Sequence, residues 1–194
     1  GRAVETLMKK NGDDFPFAKL GDFLSAPDLT VANLEGPIPA AHRQTPDDSL
    51  SFSFRDSSGS LLAQQGIDAV SLANNHSLDR GPDGYANTRS VLTAAGVESF
   101  GMQRGVSDAT VLDTTVNGRP VRLIGLQAIN SFDPASVEPL ISGAGTNAFI
   151  VVFIHWGSEY RLTATSRQRE LAHDFVDAGA DAVIGHHPHV VEDI

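Results

Sequence analysis

Four apolar runs recur along the chain, and each breaks off into amide, imidazole or carboxylate side chains. DLTVAN at 28–33 leads into Leu34-Glu35-Gly36-Pro37. DAVSLA at 68–73 runs into Asn74-Asn75-His76. AFIVVFI at 148–154 is followed by His155-Trp156, and DAVI at 181–184 by Gly185-His186-His187-Pro188-His189. Short continuous apolar runs of this kind predict buried strands. Between them the period changes to that of a helix. Val4, Leu7 and Met8 predict a helix over 2–10; Phe17, Leu20, Phe23 and Leu24 predict a second over 15–26. A short helix is expected over 59–65, stopped by Gly66, and another over 82–95, opened by Pro82 and ended by Gly96. A last helix is expected over 165–178, with Leu171, Phe175 and Val176 inward and Gly179 closing it. Residues 109–116 and 120–129 read as a hairpin across Asn117-Gly118, a type I′ turn signal. Ser51 to Arg55 alternates like an edge strand, while 38–51 and 130–147 read as loops. Strands alternating with helices place the chain in the α/β class, and the hairpin means its sheets are not purely parallel.

At 194 residues the chain suits one domain with a real core. Its net charge of −10, with no basic cluster to offset it, excludes nucleic acid as a partner. Cysteine is absent, so any metal must be held by His, Asn and carboxylates. No apolar stretch is long enough to span a membrane. The first residue is not Met, and an export signal or anchor is expected to precede this sequence in the full-length protein.

In α/β proteins the strand ends lie along one edge of a sheet, where ligands bind. Polar groups at all four strand ends therefore predict one shared cleft. If the backbone stays extended through Pro188, His187 and His189 point the same way and converge on one ion. His155, at the end of an apolar strand, needs a partner there, which favours ligation over a structural role. Glu35 offers a hard oxygen and Asn75 a carbonyl oxygen. An oxygen and nitrogen set without sulfur suits Mn²⁺, Fe²⁺, Zn²⁺ or Mg²⁺ alike. His76 is the candidate proton donor to a leaving group, with Asp79 close enough in sequence to hold its ring. Glu159 is a second acid/base, a substrate contact or an acceptor for a metal-bound His. Asn33, Asn74, Trp156 and His186 complete the candidates as substrate-binding groups. Against this, Asn33 and Asn74 also read as turn-formers and Trp156 as a packing or carbohydrate-stacking residue. His42 and His173 read as ordinary surface residues.

The segments VANLEGPI, VSLANNHSLDRG, VVFIHWGSEY and GADAVIGHHPHVVEDI resemble, in order, those of bacterial capsule synthesis proteins of the CapA type, linked to poly-γ-glutamate production. That family is similar in turn to calcineurin-like metallophosphoesterases. The resemblance implies an αββα sandwich of two mixed sheets flanked by helices, with two metal ions in a cleft at the strand ends. By motif, Glu35 matches the bridging carboxylate, Asn75 the amide ligand, His76 the adjacent acid, His155 the single His, and His187 with His189 the paired His. The family usually opens on a strand ending in a Gly-Asp ligand and continues past the paired His to a Ser-Leu-Gly-Asn-Phe type segment. Neither is in this sequence, so the single domain over 1–194 is expected to be incomplete at both termini, with at least one metal position weakened. Residues 129–148 also look shorter than usual for the family.

The expected activity is a metal-dependent hydrolase or transferase acting on an anionic capsule polymer or its precursor. The expected setting is extracytoplasmic, at the cell envelope, with membrane-bound capsule synthesis subunits as partners. The alternative is a non-catalytic polymer-binding subunit of that complex; a weaker reading is a cytosolic metallophosphatase unrelated to capsules.

Overall fold

The computed structural model describes residues 2–129, 132–145 and 147–193. Its regular elements are α1 (Arg2–Asn11), β1 (Val31–Asn33), α2 (Ser58–Gln64), β2 (Ala69–Ser71), α3 (Gly81–Ala95), β3 (Glu98–Phe100), β4 (Val111–Val116), β5 (Arg119–Gln127), α4 (Glu138–Ser142), β6 (Phe149–His155), α5 (Ser166–Asp177) and β7 (Ala182–His186). The strands form two sheets, ordered β1-β2-β3 and β4-β5-β6-β7. The class is therefore α/β with two sheets and accompanying helices, as the sequence predicts. The chain divides into two compact units: Gly1–Val70 with His76–Ser99, and Ser71–Asn75 with Phe100–Ile194. No helix among the described residues is long and apolar enough to cross a membrane.

In the first unit the segment after β1 is held by side chains rather than by a strand ladder. The Ile38 amide donates to Thr88 Oγ1 on α3 at 2.8 Å, and Asn87 Nδ2 donates to the Ile38 carbonyl at 2.7 Å. Two orphan groups of an irregular segment are thus satisfied by one helix face. α1 is anchored to the polar loop through His42. That residue is not the surface histidine expected from the sequence. Its Nε2 lies 3.1 Å from Glu5 Oε2, and its Nδ1 lies 3.0 Å from Ser53 Oγ, whose hydroxyl donates to the Arg43 carbonyl. Both ring nitrogens are thereby engaged, one by α1 and one by the loop that carries Ser53.

The second unit is built on β6, whose apolar run pairs in parallel with β5 on one side and β7 on the other. Strands buried on both faces read as continuous apolar runs, which is why the sequence signal is strong here. β4 joins β5 antiparallel. The turn between them places Asn117 at φ 51° and Gly118 at φ 79°, as a type I′ turn requires. Leu171 and Phe175 of α5 and Trp156 join Ile124, Val152 and Ile154 in the core. Phe100 stands edge-on to Phe153, with ring centroids 5.6 Å apart.

Several expectations fail for identifiable reasons. The helix expected over 15–26 is only two 3-10 turns, Phe15–Phe17 and Gly21–Phe23. Pro16 sits where its missing N–H costs little, but Gly21 takes φ 52° and ends any α-helix there. Residues 51–55 are not a strand; the Phe54 amide bonds to Pro37 O and the Phe52 amide to Asp79. Val176 is more than half exposed rather than inward. β3 has no counterpart in the sequence pattern, nor has α4, which lies in the stretch read as loop; the expectation there covers Asn130, Ser131 and Thr146, which lie outside the described residues.

Candidate functional site

The polar strand ends fall into both units. In the first unit Asn33 closes β1 and donates from Nδ2 to Glu35 Oε2 at 2.9 Å. The pair spans two residues, as side chains sharing a strand face do. After β2 the chain turns through His76, whose Nδ1 lies 2.8 Å from Asp79 Oδ2. Asp79 is itself fixed, because the Phe52 amide donates to the same oxygen at 2.6 Å. A carboxylate on Nδ1 favours the tautomer with its proton there, the orientation that acid/base work at Nε2 requires. The Phe52 ring lies 4.4 Å from the His76 ring, and both His76 and Asp79 side chains are 15% exposed. Arg80 closes the turn by donating to the Ser51 carbonyl at 3.0 Å and to its hydroxyl.

In the second unit the register puts Gln127, His155 and His186 side by side at the ends of β5, β6 and β7. His155 is fully buried. Its Nε2 lies 2.8 Å from Asn75 Oδ1, and its Nδ1 lies 2.6 Å from His186 Nδ1. Gln103 steadies Asn75 by donating from Nε2 to its carbonyl at 2.5 Å. His187 brings its ring centroid to 4.7 Å from that of His155, and His189 to 6.0 Å from that of His187. Three stretches distant in the sequence therefore meet, bringing together Asn75, His155 and the His186, His187 and His189 group. Glu159 stands at the rim, 3.9 Å from His189 Nε2, and Tyr160 stacks on the His189 ring at 5.8 Å. The Tyr160 amide donates to Pro188 O at 2.7 Å, tying the two loops together.

The paired histidines do not converge in the way the extended backbone predicts. His187 has φ 105° and His189 φ 59°, so a left-handed bend, not strand alternation, aims their rings. Such backbone costs about 1–3 kcal/mol per residue and persists where the surroundings over-determine it. Trp156 takes the packing role: it is buried in the core, and its indole crosses Gly185, leaving no room for a Cβ there. It offers no accessible face for stacking a substrate. Asn74 is fully buried, with its backbone N–H donating to the Leu72 carbonyl at 3.0 Å.

Burial, reinforced by the neighbouring charge of His187, pulls His186 down to about 4. It is thus neutral at neutral pH. Among the described residues its buried Nε2 has no hydrogen-bond partner. The donor set fits a divalent cation. An amide oxygen and an imidazole nitrogen 2.8 Å apart, with two further imidazoles close by, match the oxygen-plus-nitrogen chemistry of such ions. Asn75, His155, His187 and His189 are the residues of this unit that would hold it. Two groups near this site escape the sequence reading. Gln127 ends an apolar strand just as the four recognised candidates do, so the same signal is available there. Gln103 lies in a loop and carries none.

A family model described as bacterial capsule synthesis protein PGA_cap matches residues 1–194. The chain is 30% identical over 212 residues to a PGA biosynthesis protein CapA of Bacillus subtilis, covering 100% of this chain and 56% of the relative. It is 29% identical to the capsule biosynthesis protein CapA of Bacillus anthracis, covering 99% and 52%. A probable polyglutamine synthesis accessory protein of Mycobacterium tuberculosis is 26% identical, covering 87% and 52%. The chain thus spans about half the length of the curated relatives it matches. A crystal structure of a hypothetical protein from Thermus thermophilus shares the fold, with a TM-score of 0.61 and 22% identity over 92% of this chain and 64% of that one. With the family's motifs at the strand ends and its model matched from first residue to last, the chain belongs to the bacterial capsule synthesis protein family PGA_cap.

Proposed function

We propose that this chain takes part in making a poly-γ-glutamate capsule at the cell envelope, through a divalent-metal site that hydrolyses or transfers a bond of the anionic polymer or its precursor. The capsule assignment is supported by relatives named for capsule and PGA biosynthesis. One observation carries the chemistry: Asn75 Oδ1 and His155 Nε2 meet at 2.8 Å, with the His187 ring beside them. A bound divalent ion would supply Lewis acidity and a water of lowered pKa. The protein's own contribution is orientation. Asn75 and His155 are held by Gln103 and His186, and His187 and His189 by the Tyr160–Pro188 tie. His76, next in the chain after Asn75, would give a proton to the leaving group, its ring fixed by Asp79. Glu159 would position a polar group of the substrate at the rim.

The second reading, a polymer-binding subunit without turnover, draws on the mycobacterial relative's description as an accessory protein. Titrating the purified protein with Mn²⁺ and assaying it on bis-p-nitrophenyl phosphate and γ-glutamyl p-nitroanilide separates the two. The enzyme reading expects saturable metal binding and turnover, both lost in His155→Ala. Metal binding without turnover on either substrate would move the assignment to the subunit. Absence of metal binding in the wild-type full-length protein would refute the metal site itself.

A further inference from the structure

Beside the histidine cluster, wholly within the second unit, lies a cavity of about 610 Å³. That is within the range of about 300–1,000 Å³ typical of small-molecule sites. It adjoins the cluster through two residues already met: Gln103, which holds the Asn75 carbonyl, and Gln127, which pairs with His155 across the sheet end. Its other polar walls are Arg104, Asp133 and Ser136, and its apolar lining includes Leu126 and Phe132.

We propose that this cavity is a subsite for a carboxylate-bearing amide chain of the glutamyl type, with Arg104 as the carboxylate-binding residue. The inference rests on the reading of the protein as a poly-γ-glutamate capsule component. Arg104 is exposed and makes no ion pair or hydrogen bond among the described residues, in a protein of net charge −10. A guanidinium left unpaired on so acidic a protein offers a fork that matches a carboxylate geometrically. Asp133 does not serve as its counter-ion. One of its carboxylate oxygens caps a helical turn, accepting from the Ala135 amide at 3.1 Å. The Gln127 carboxamide offers donors and an acceptor, and Gln103, with one N–H given to the Asn75 carbonyl, keeps its oxygen and a second N–H, the complement of a substrate amide's N–H and C=O. Leu126 and Phe132 supply the apolar surface that side-chain methylenes cover. One cation with two carboxamides and an apolar lining suits a carboxylate on an aliphatic amide chain better than a phosphate, which favours several cations. The backbone around Arg104 is also defined: Ser107 and Thr110 form a reciprocal cap shortly after it.

The test is calorimetric titration of the protein, in chelator-containing buffer, with a γ-linked glutamate pentamer and with its carboxamide counterpart. The pentamer should bind wild type and lose tenfold or more in Arg104→Ala, with part of the loss recovered in Arg104→Lys. The carboxamide pentamer should bind wild type about tenfold more weakly and be indifferent to Arg104→Ala. Equal binding of the pentamer to wild type and Arg104→Ala would overturn the proposal. So would equal binding of the two pentamers, no saturable pentamer binding, or displacement by inorganic phosphate at lower concentrations than by the pentamer. Arg104 is exposed, so loss of fold is not an escape; a matching urea melt verifies it. Mn²⁺ titration of the same variants keeps the two proposals apart. Arg104-dependent pentamer binding without metal binding sinks the metal site alone, and the reverse sinks the subsite alone.

Discussion

Replacing His42 by Ala should cost about 2–3 kcal/mol of stability at pH 7, because it leaves a nearly buried carboxylate short of its main partner. The Glu5 side chain is 5% exposed and that of His42 14%. A hydrogen bond from a ring N–H to an ionised carboxylate contributes about 1.5–3 kcal/mol net. Lys9 also reaches Glu5, at 3.1 Å, but its side chain is half exposed, so it contributes under about 1 kcal/mol and cannot replace the ring. Ser53 loses its ring contact in the variant and keeps its bond to the Arg43 carbonyl, which limits the loss to the Glu5 side. The pH dependence has a defined sign. Burial pushes Glu5 up, but the hydrogen bonds and charges of His42 and Lys9 outweigh it and hold the carboxyl below its ordinary value of 4.5. The folded chain therefore binds this proton less readily than the unfolded one. The stabilisation is fully present above 4.5 and disappears as pH falls through the lower folded value. Urea unfolding of wild type and His42→Ala should show the full gap at pH 7 and a shrinking one below pH 4.5. The Glu5→Gln and His42→Ala double-mutant cycle should return a coupling of about 1.5–3 kcal/mol at pH 7. A gap below about 0.5 kcal/mol at pH 7, or one that widens on acidification, would falsify the reasoning.

Two further outcomes are expected. Gly185→Ala drives a methyl into the Trp156 indole, with Cε2 3.0 Å and Cζ2 3.3 Å from the new Cβ and Nε1 closer still, so thermal unfolding should show a loss of about 1–3 kcal/mol. Because the same strand carries His186 and leads into His187, Mn²⁺ affinity should fall with it; a variant as stable as wild type would show that the indole moves freely. Asp79→Asn removes the carboxylate from His76 Nδ1 while keeping a group that can accept from the Phe52 amide, so ¹⁵N spectra of His76 should show an altered tautomer balance. An unchanged spectrum would show that Asp79 does not set the ring's tautomer.

The strand ends are legible in the sequence because their signal is local. An apolar run that stops at imidazole or amide needs no partner to be seen, and β6 with His155 can be placed within a residue of its observed end. The same holds for Asn117-Gly118, where φ above zero at two consecutive positions is a property of the residues themselves. What escapes is set by groups far apart in the chain. His42 lies in a polar loop and carries no periodicity; only the packing of α1 brings Glu5 to it, 37 residues away. β3 is three residues long and exists because β2 lies beside it.

By itself, then, the amino-acid order determined the α/β class, the hairpin, the principal buried strands and the residue types available for ligation, since burial period and turn chemistry are written over a few consecutive positions. Tertiary structure alone decided that Asn75 meets His155 across 80 residues, that His187 and His189 are aimed by left-handed backbone, and that Trp156 packs across Gly185 instead of facing a substrate. Those outcomes depend on which surfaces close on one another. Side-chain contacts over such sequence distances arise only when the whole core is buried together.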